Sequence, residues 1–178
     1  MASLKKPQRT TPSHAKRASA GFERLWAPWR NAFIKKADHG PCFLCATASG
    51  GQDRKRFVVA RDRLAFVILN RYPYNNGHLM VAPKRHVGEL EKLAAAEWRS
   101  LWRLTDRAVK LLQKRLNPHG FNLGMNIGRV AGAGIPGHLH LHIVPRWSGD
   151  TNFMPIVGAT KVISQSLEEL YKVLTMKT

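Results

Sequence analysis

The chain is poor in acid: 11 Asp and Glu stand against 29 Lys and Arg in 178 residues, a formal net charge of +18. So one-signed a chain attracts polyanions, whether nucleic acid, an anionic membrane surface or small substrates carrying several phosphates. Cysteine is scarce as well. Cys42 and Cys45 cannot build a disulfide framework, and their spacing suits a metal or redox motif in a reducing, cytoplasmic setting. Long apolar runs are missing. The longest, such as Leu64 to Leu69, fall far below the ~18–20 residues of a membrane span, and no h-region follows the N-terminus. The expectation is a protein that neither spans a membrane nor is secreted. There is no internal repeat, and with 44% hydrophobic residues the chain can fill one core.

Residues 1–21 contain Lys5, Lys6, Arg9, Lys16 and Arg17, no acid, two prolines and only scattered small apolar side chains. Such a segment cannot bury enough surface to offset the entropy of ordering, so it reads as a disordered basic tail. Residues 22–178 read as one folded domain. Phe57 to Ala60, Leu64 to Leu69 and His78 to Ala82 are short β-rich runs separated by turn residues, which predicts an antiparallel meander. Apolar residues from Leu90 through Leu116 recur at helical spacing until Asn117-Pro118-His119-Gly120 stops them, so one long amphipathic helix follows. Trp98 and Trp102 read as its core residues. Arg99, Arg103, Arg107 and Lys110 or Lys114 form a basic stripe, read as a solvated face. Phe121 to Ile127 and His138 to Val144 are two more strands, and Ser166-Leu167-Glu168-Glu169 is a capping-box pattern opening a short C-terminal helix. The fold class is α+β.

His138-Leu139-His140-Leu141-His142-Ile143-Val144 is the most informative segment. On a strand, the three histidines share one face and the apolar residues the other, so one face is core and the other is chemistry. Two chemistries fit. His-x-His can present two imidazoles to a zinc ion with an open position for water. Alternatively the middle histidine, largely neutral near pH 7, attacks a phosphorus and forms a covalent nucleotidyl intermediate. The preceding loop, with Gly128, Gly132, Gly134 and Gly137, favours the second, because bare backbone can approach phosphate oxygens closely. Arg129 and Arg146 flank the strand and could face a polyphosphate. Cys42-Phe43-Leu44-Cys45 has the spacing of a zinc knuckle, which needs two further ligands; two unliganded cysteines and His39 as a ligand are the alternatives, and no βαβ context supports a redox pair. His78 and His119 read as hydrogen-bonding residues of turns.

The histidine segment resembles the signature of the histidine triad family. Leu69-Asn70-Arg71-Tyr72-Pro73-Tyr74-Asn75-Asn76-Gly77-His78-Leu79-Met80-Val81-Ala82-Pro83 is similar to the nucleotide-binding hairpin of its fragile histidine triad branch. Leu25 to Arg30, Asn126 to Gly134 and Pro145 to Pro155 resemble bacterial members that act as diadenosine tetraphosphate phosphorylases or hydrolases. The likeness runs from about residue 22 to 174. It implies a histidine triad fold, a homodimer, and cleavage of dinucleoside polyphosphates with His140 as nucleophile, His142 on phosphate, and the adenylyl group passing to phosphate or water. It further implies that Asn70 holds the ribose, that Asn126 with Gly132 and Gly134 holds the phosphates, and that Cys42, Cys45, His86 and His138 bind structural zinc. Trp26, Trp29 and Trp147 lie in the shared segments; Trp147 is the choice for stacking on the base. Many relatives have Gln followed by Ser or Thr where this chain has Ala133-Gly134, so their side-chain donors are absent here. Two other functions stay open: nonspecific nucleic-acid binding by the basic tail and helix stripe, and zinc-dependent hydrolysis.

Overall fold

The computed structural model describes residues 41–151 and 162–176. The tail, Trp26, Trp29 and His39 lie outside them. Two short helices come first, α1 (Phe43–Ala48) and α2 (Asp53–Arg56), which the sequence reading did not anticipate. The meander follows as expected: β1 (Val58–Arg61), β2 (Ala65–Leu69) and β3 (Leu79–Pro83) pair antiparallel in turn. Next comes α3 (Ala95–Leu116), then β4 (Gly120–Met125), β5 (Leu141–Arg146) and α4 (Leu167–Thr175). The sheet order is β1-β2-β3-β5-β4, all antiparallel, so the last strand inserts between β3 and β4.

Two element starts and one burial assignment differ from the sequence reading. The long helix begins at Ala95, and Leu90–Lys92 is a separate 3₁₀ turn. Ala94 has no side-chain acceptor for the helix start. Glu97 takes over, accepting the Ala94 N–H at 2.9 Å while Arg85 grips the same carboxylate at 2.7 Å. The last strand begins at Leu141, not His138. Finally, Trp102 is not a core residue: it is 53% exposed, because Leu101, Leu104, Ala108 and Leu112 already define the buried stripe and Trp102 lies one residue, about 100°, off it.

The period of two sorts the strands into two cores. Ala65, Val67 and Leu69 of β2, Leu79 and Val81 of β3, and Leu141 and Ile143 of β5 face α3 and α4. Phe66 and Ile68 with Met80 and Ala82 face the other way, beneath Leu44 of α1. Both faces of β2 and β3 are therefore buried, each large side chain contributing about 1.5–3 kcal/mol. Arg61 fastens the two short helices to the sheet edge. It forks onto Asp53 at 2.6 to 3.0 Å and donates to the carbonyl of Thr47 at 2.8 Å. The capping box at α4 is present, Glu169 N–H donating to Ser166 Oγ at 3.2 Å.

Asp62 locks the β1–β2 turn to α3. It accepts the backbone N–H groups of Leu64 and Ala65, both at 2.8 Å, the Ser100 hydroxyl at 2.6 Å and Arg103 at 2.7 Å. Burial alone would raise its pKa, but these donors together outweigh burial and hold it at about 2. A carboxylate held below its unfolded value of 3.8 stabilises the fold fully above that pH and loses its effect as pH falls toward 2. Asp62→Ala is expected to cost about 2 kcal/mol at pH 7. Urea titrations of both proteins should show that gap narrowing below pH 4.

Candidate active site and metal centre

The register of the sheet builds the site. Val58 lies opposite Ile68, Ile68 opposite Met80, and Met80 opposite His142. One row thus crosses four strands on the face beneath α1, chemical at β5 and apolar at β2 and β1. A cavity of about 550 Å³ lies over this row. Phe43, Leu44 and Ala46 of α1 with Ile68, Met80 and Ile135 form its apolar part, and His140, His142, Asn70, Asn126, Gly132 and Gly134 line it as well. Six of the seven residues assigned to chemistry and substrate are therefore brought together. Trp147 is the exception. It does not line the cavity, and its indole N–H donates to the carbonyl of Asn117 at 3.2 Å. Arg146 also faces elsewhere, forking onto Asp150 at 2.6 and 3.0 Å.

Although His138 and His140 precede β5, the alternation of faces persists through them, since Leu139, Leu141 and Ile143 all enter the α3 core. His140 Nδ1 is 2.8 Å from the carbonyl of His138. A carbonyl only accepts, so Nδ1 carries the proton and Nε2 carries the lone pair. Burial depresses the pKa of His140 more than that hydrogen bond raises it, which keeps the ring neutral. A neutral, pre-oriented imidazole whose lone pair is left available beside a cavity has the chemistry to act as a nucleophile or a general base.

His142 is set by a histidine outside the triad. The backbone N–H of Tyr74 donates to His78 Nδ1 at 3.0 Å, so His78 bears its proton on Nε2. That Nε2 lies 2.9 Å from His142 Nδ1. His142 must accept there, which places its own proton on Nε2 and makes it a neutral donor. His78 is fully buried; burial first, then His142 and His140, lower its pKa to about 3. Its hydrogen-bonding role was foreseen, but its place behind the triad was not. The available signal was a histidine opening an otherwise apolar run, His78 to Ala82.

The glycine loop contributes shape more than donors. Gly132 has φ +84°, which suits a residue without Cβ. Its N–H donates to Arg129 O at 3.0 Å and that of Ala133 lies 3.3 Å from Gly128 O. The Gly132 N–H, one of the expected phosphate-cradling donors, is thereby taken up by the turn, which leaves that residue to give a phosphate room.

Cys42, Cys45, His86 and His138 converge beside the cavity with their donor atoms all within 4.8 Å of one another. His138 Nδ1 lies 3.3 Å from Cys42 Sγ and 3.5 Å from Cys45 Sγ, and His86 Nδ1 lies 3.1 Å from Cys45 Sγ. A tetrahedron with bonds of ~2.3 Å to sulfur and ~2.05 Å to nitrogen has S···N edges of about 3.5 Å. The donor set fits. His138 Nε2 donates to the carbonyl of Pro83 at 2.8 Å, which leaves Nδ1 as the ligand atom and fixes the ring. A Cβ on Gly137 would stand 3.1 Å from His86 Nε2, so the bare residue gives that ring room. These four residues can hold a metal ion, and among the described residues they form the one such cluster.

The model of the HIT domain matches residues 52–149. The chain belongs to the HIT domain family. Over 161 residues it is 41% identical to AP-4-A phosphorylase of Mycobacterium tuberculosis, covering 86% of this chain and 83% of that protein. It is also 32% identical over 111 residues to the nitrilase and fragile histidine triad fusion protein NitFhit of Caenorhabditis elegans, spanning 59% of this chain and 25% of that one. Among solved structures, a Zn-bound histidine triad family protein from Mycobacterium smegmatis matches this HIT fold with a TM-score of 0.61 and 27% identity, over 75% of this chain and 90% of that one.

Burial behind the triad has a spectroscopic consequence. With its pKa pressed down to about 3, His78 is expected to stay neutral, Nε2–H, from pH 8 to pH 5. Long-range ¹H–¹⁵N spectra should show its ring nitrogens unmoved over that range, and a titration near pH 6.5 would contradict the assigned Tyr74–His78–His142 hydrogen-bond chain.

Proposed function

We propose that this HIT protein cleaves dinucleoside polyphosphates of the diadenosine tetraphosphate kind by nucleotidyl transfer through His140. His140 Nε2 attacks the phosphorus next to one nucleoside; an N–P bond forms as the P–O bond to the departing nucleotide breaks. Phosphate or water then attacks the nucleotidyl-histidine and restores the imidazole. His142, as Nε2–H, donates to the phosphoryl oxygens where charge develops. Asn70 stands for the ribose, Asn126, Gly132 and Gly134 for the phosphates, and the apolar wall under α1 for the base. The observation that carries this reading is the His140 hydrogen bond to the His138 carbonyl, which fixes the tautomer a nucleophile needs. The 41% identity to a protein named AP-4-A phosphorylase supports the substrate class.

Zinc is the ion assigned to Cys42, Cys45, His86 and His138, since two thiolates and two imidazoles in a tetrahedron suit it. Four protein donors complete its shell, so it serves structure. The hydrolytic-metal reading lacks support, because His140 and His142 are not in the ligand set. A homodimer is the proposed assembly: among the described residues β4 is an edge strand of the sheet, and its Leu123 is 47% exposed. A reducing, cytoplasmic location suits the thiol ligands. The tail that prompted the nucleic-acid reading lies outside the described residues, and on α3 two stripe cations already pair with acids, Arg103 with Asp62 and Lys110 with Asp106.

Incubation with diadenosine tetraphosphate, with and without inorganic phosphate, tests the reaction. ADP with ATP marks phosphorolysis, AMP with ATP marks hydrolysis, and an acid-labile adenylylated protein marks the intermediate. His140→Ala is expected to lose about 10³-fold or more in kcat; full activity in that variant would refute the covalent route. For the metal, elemental analysis should find one zinc per chain. His86→Ala should weaken zinc at least about tenfold and lower Tm, since metal binding is coupled to folding.

A further inference from the structure

A dinucleoside polyphosphate brings two nucleosides, and the cavity offers one apolar wall on which to seat a base. Its 550 Å³ is the size of a single small-ligand site. Its floor, from His142 across Met80 to Ile68, is two strand spacings, about 10 Å. A first nucleoside on the apolar wall places its phosphate at the histidines, so the second must lie beyond them, on the side to which the leaving nucleotide departs.

Two tyrosines, Tyr72 and Tyr74, lie on the hairpin between β2 and β3. Both line the cavity and both remain open to solvent, Tyr72 by 51% and Tyr74 by 38%. The Tyr74 ring packs 4.8 Å from the ring of His78 and 5.8 Å from that of His142, tilted by 33° and 35°. It therefore belongs to the reacting end of the cavity. Asn70 Oδ1 accepts the backbone N–H of Tyr72 at 2.9 Å, an Asx turn that fixes the loop from a residue of the same wall. An ordered loop that presents two large exposed rings to the cavity, one of them packed beside the histidines, is the construction that sequence-tolerant base stacking uses.

Resting on the reaction proposed above, we propose that Tyr72, two residues from Tyr74 on the same loop, is the stacking platform for the second nucleobase of the substrate. Every base has a π-face, so the platform selects for a second nucleoside without choosing which one. Tyr74 also holds His78 in place through its backbone, which makes Tyr72 the cleaner position to alter.

Adenosine 5′-tetraphosphate tests this, since it has the phosphates of diadenosine tetraphosphate and lacks one nucleoside. The wild-type protein should prefer the dinucleoside in kcat/KM. Tyr72→Ala should reduce that preference about tenfold, through KM more than kcat. Tyr72→Trp should retain it, and Tyr72→Leu, which keeps bulk without a π-face, should lose it as Ala does. If both compounds are cleaved and their ratio is the same in wild type and Tyr72→Ala, the platform is overturned and the reaction stands. If wild-type protein cleaves neither, the reaction itself fails and the platform with it.

Discussion

Pairing of β5 with β3 in the register that sets Met80 opposite His142 underlies the rest of the site. A slip of one residue would turn the histidines into the α3 core and the leucines into the cavity, since faces alternate along a strand. The register is held from the core side, where Leu139, Leu141 and Ile143 join the leucines of α3. Chemistry on one face is thus positioned by packing on the other. The same pairing brings His142 to His78 and His138 to the end of β3, where the Pro83 carbonyl fixes its ring.

The three histidines of the segment then take three tasks through what each nitrogen meets. His138 spends Nε2 on a carbonyl and turns Nδ1 to the cysteines. His140 spends Nδ1 on the His138 carbonyl and keeps the Nε2 lone pair. His142 accepts at Nδ1 and carries its proton at Nε2. No charge is needed at His140 or His78, whose pKa values burial depresses. The Cys/His cluster and His140 are also joined by one residue, because His138 offers its ring to the cysteines and its carbonyl to His140. An ion there would steady the group that orients His140.

The positive charge that dominates the composition has only a small share in this. Arg61, Arg85 and Arg103 are engaged with Asp53, Glu97 and Asp62, so part of the excess fastens helices to the sheet. Arg146 likewise braces the turn after β5 against Asp150. A polyphosphate would meet neutral imidazoles and asparagines at the reacting end, with Lys55, Arg56 and Arg71 elsewhere on the cavity wall.

The alternation His138-Leu139-His140-Leu141-His142 was enough to separate a chemical face from a core face, because side-chain direction in extended chain is a local property. For the same reason the meander, the long helix, the cap at Ser166 and the Cys-x-x-Cys spacing were legible from the sequence. Partners distant in sequence were legible only through the family resemblance, which put Cys42 with His138 across 96 positions, whereas the meeting of His78 with His142 across 64 was given neither by periodicity nor by the resemblance. The start of the strand at Leu141, the exposure of Trp102 and the displacement of Trp147 from the cavity depended on which surfaces were already filled, and the sheet order β1-β2-β3-β5-β4 decided that. Sequence alone determined which residues could do chemistry and on which face; tertiary structure decided which of them meet, which nitrogen each presents and which are left outside, since those depend on packing between segments far apart in the chain.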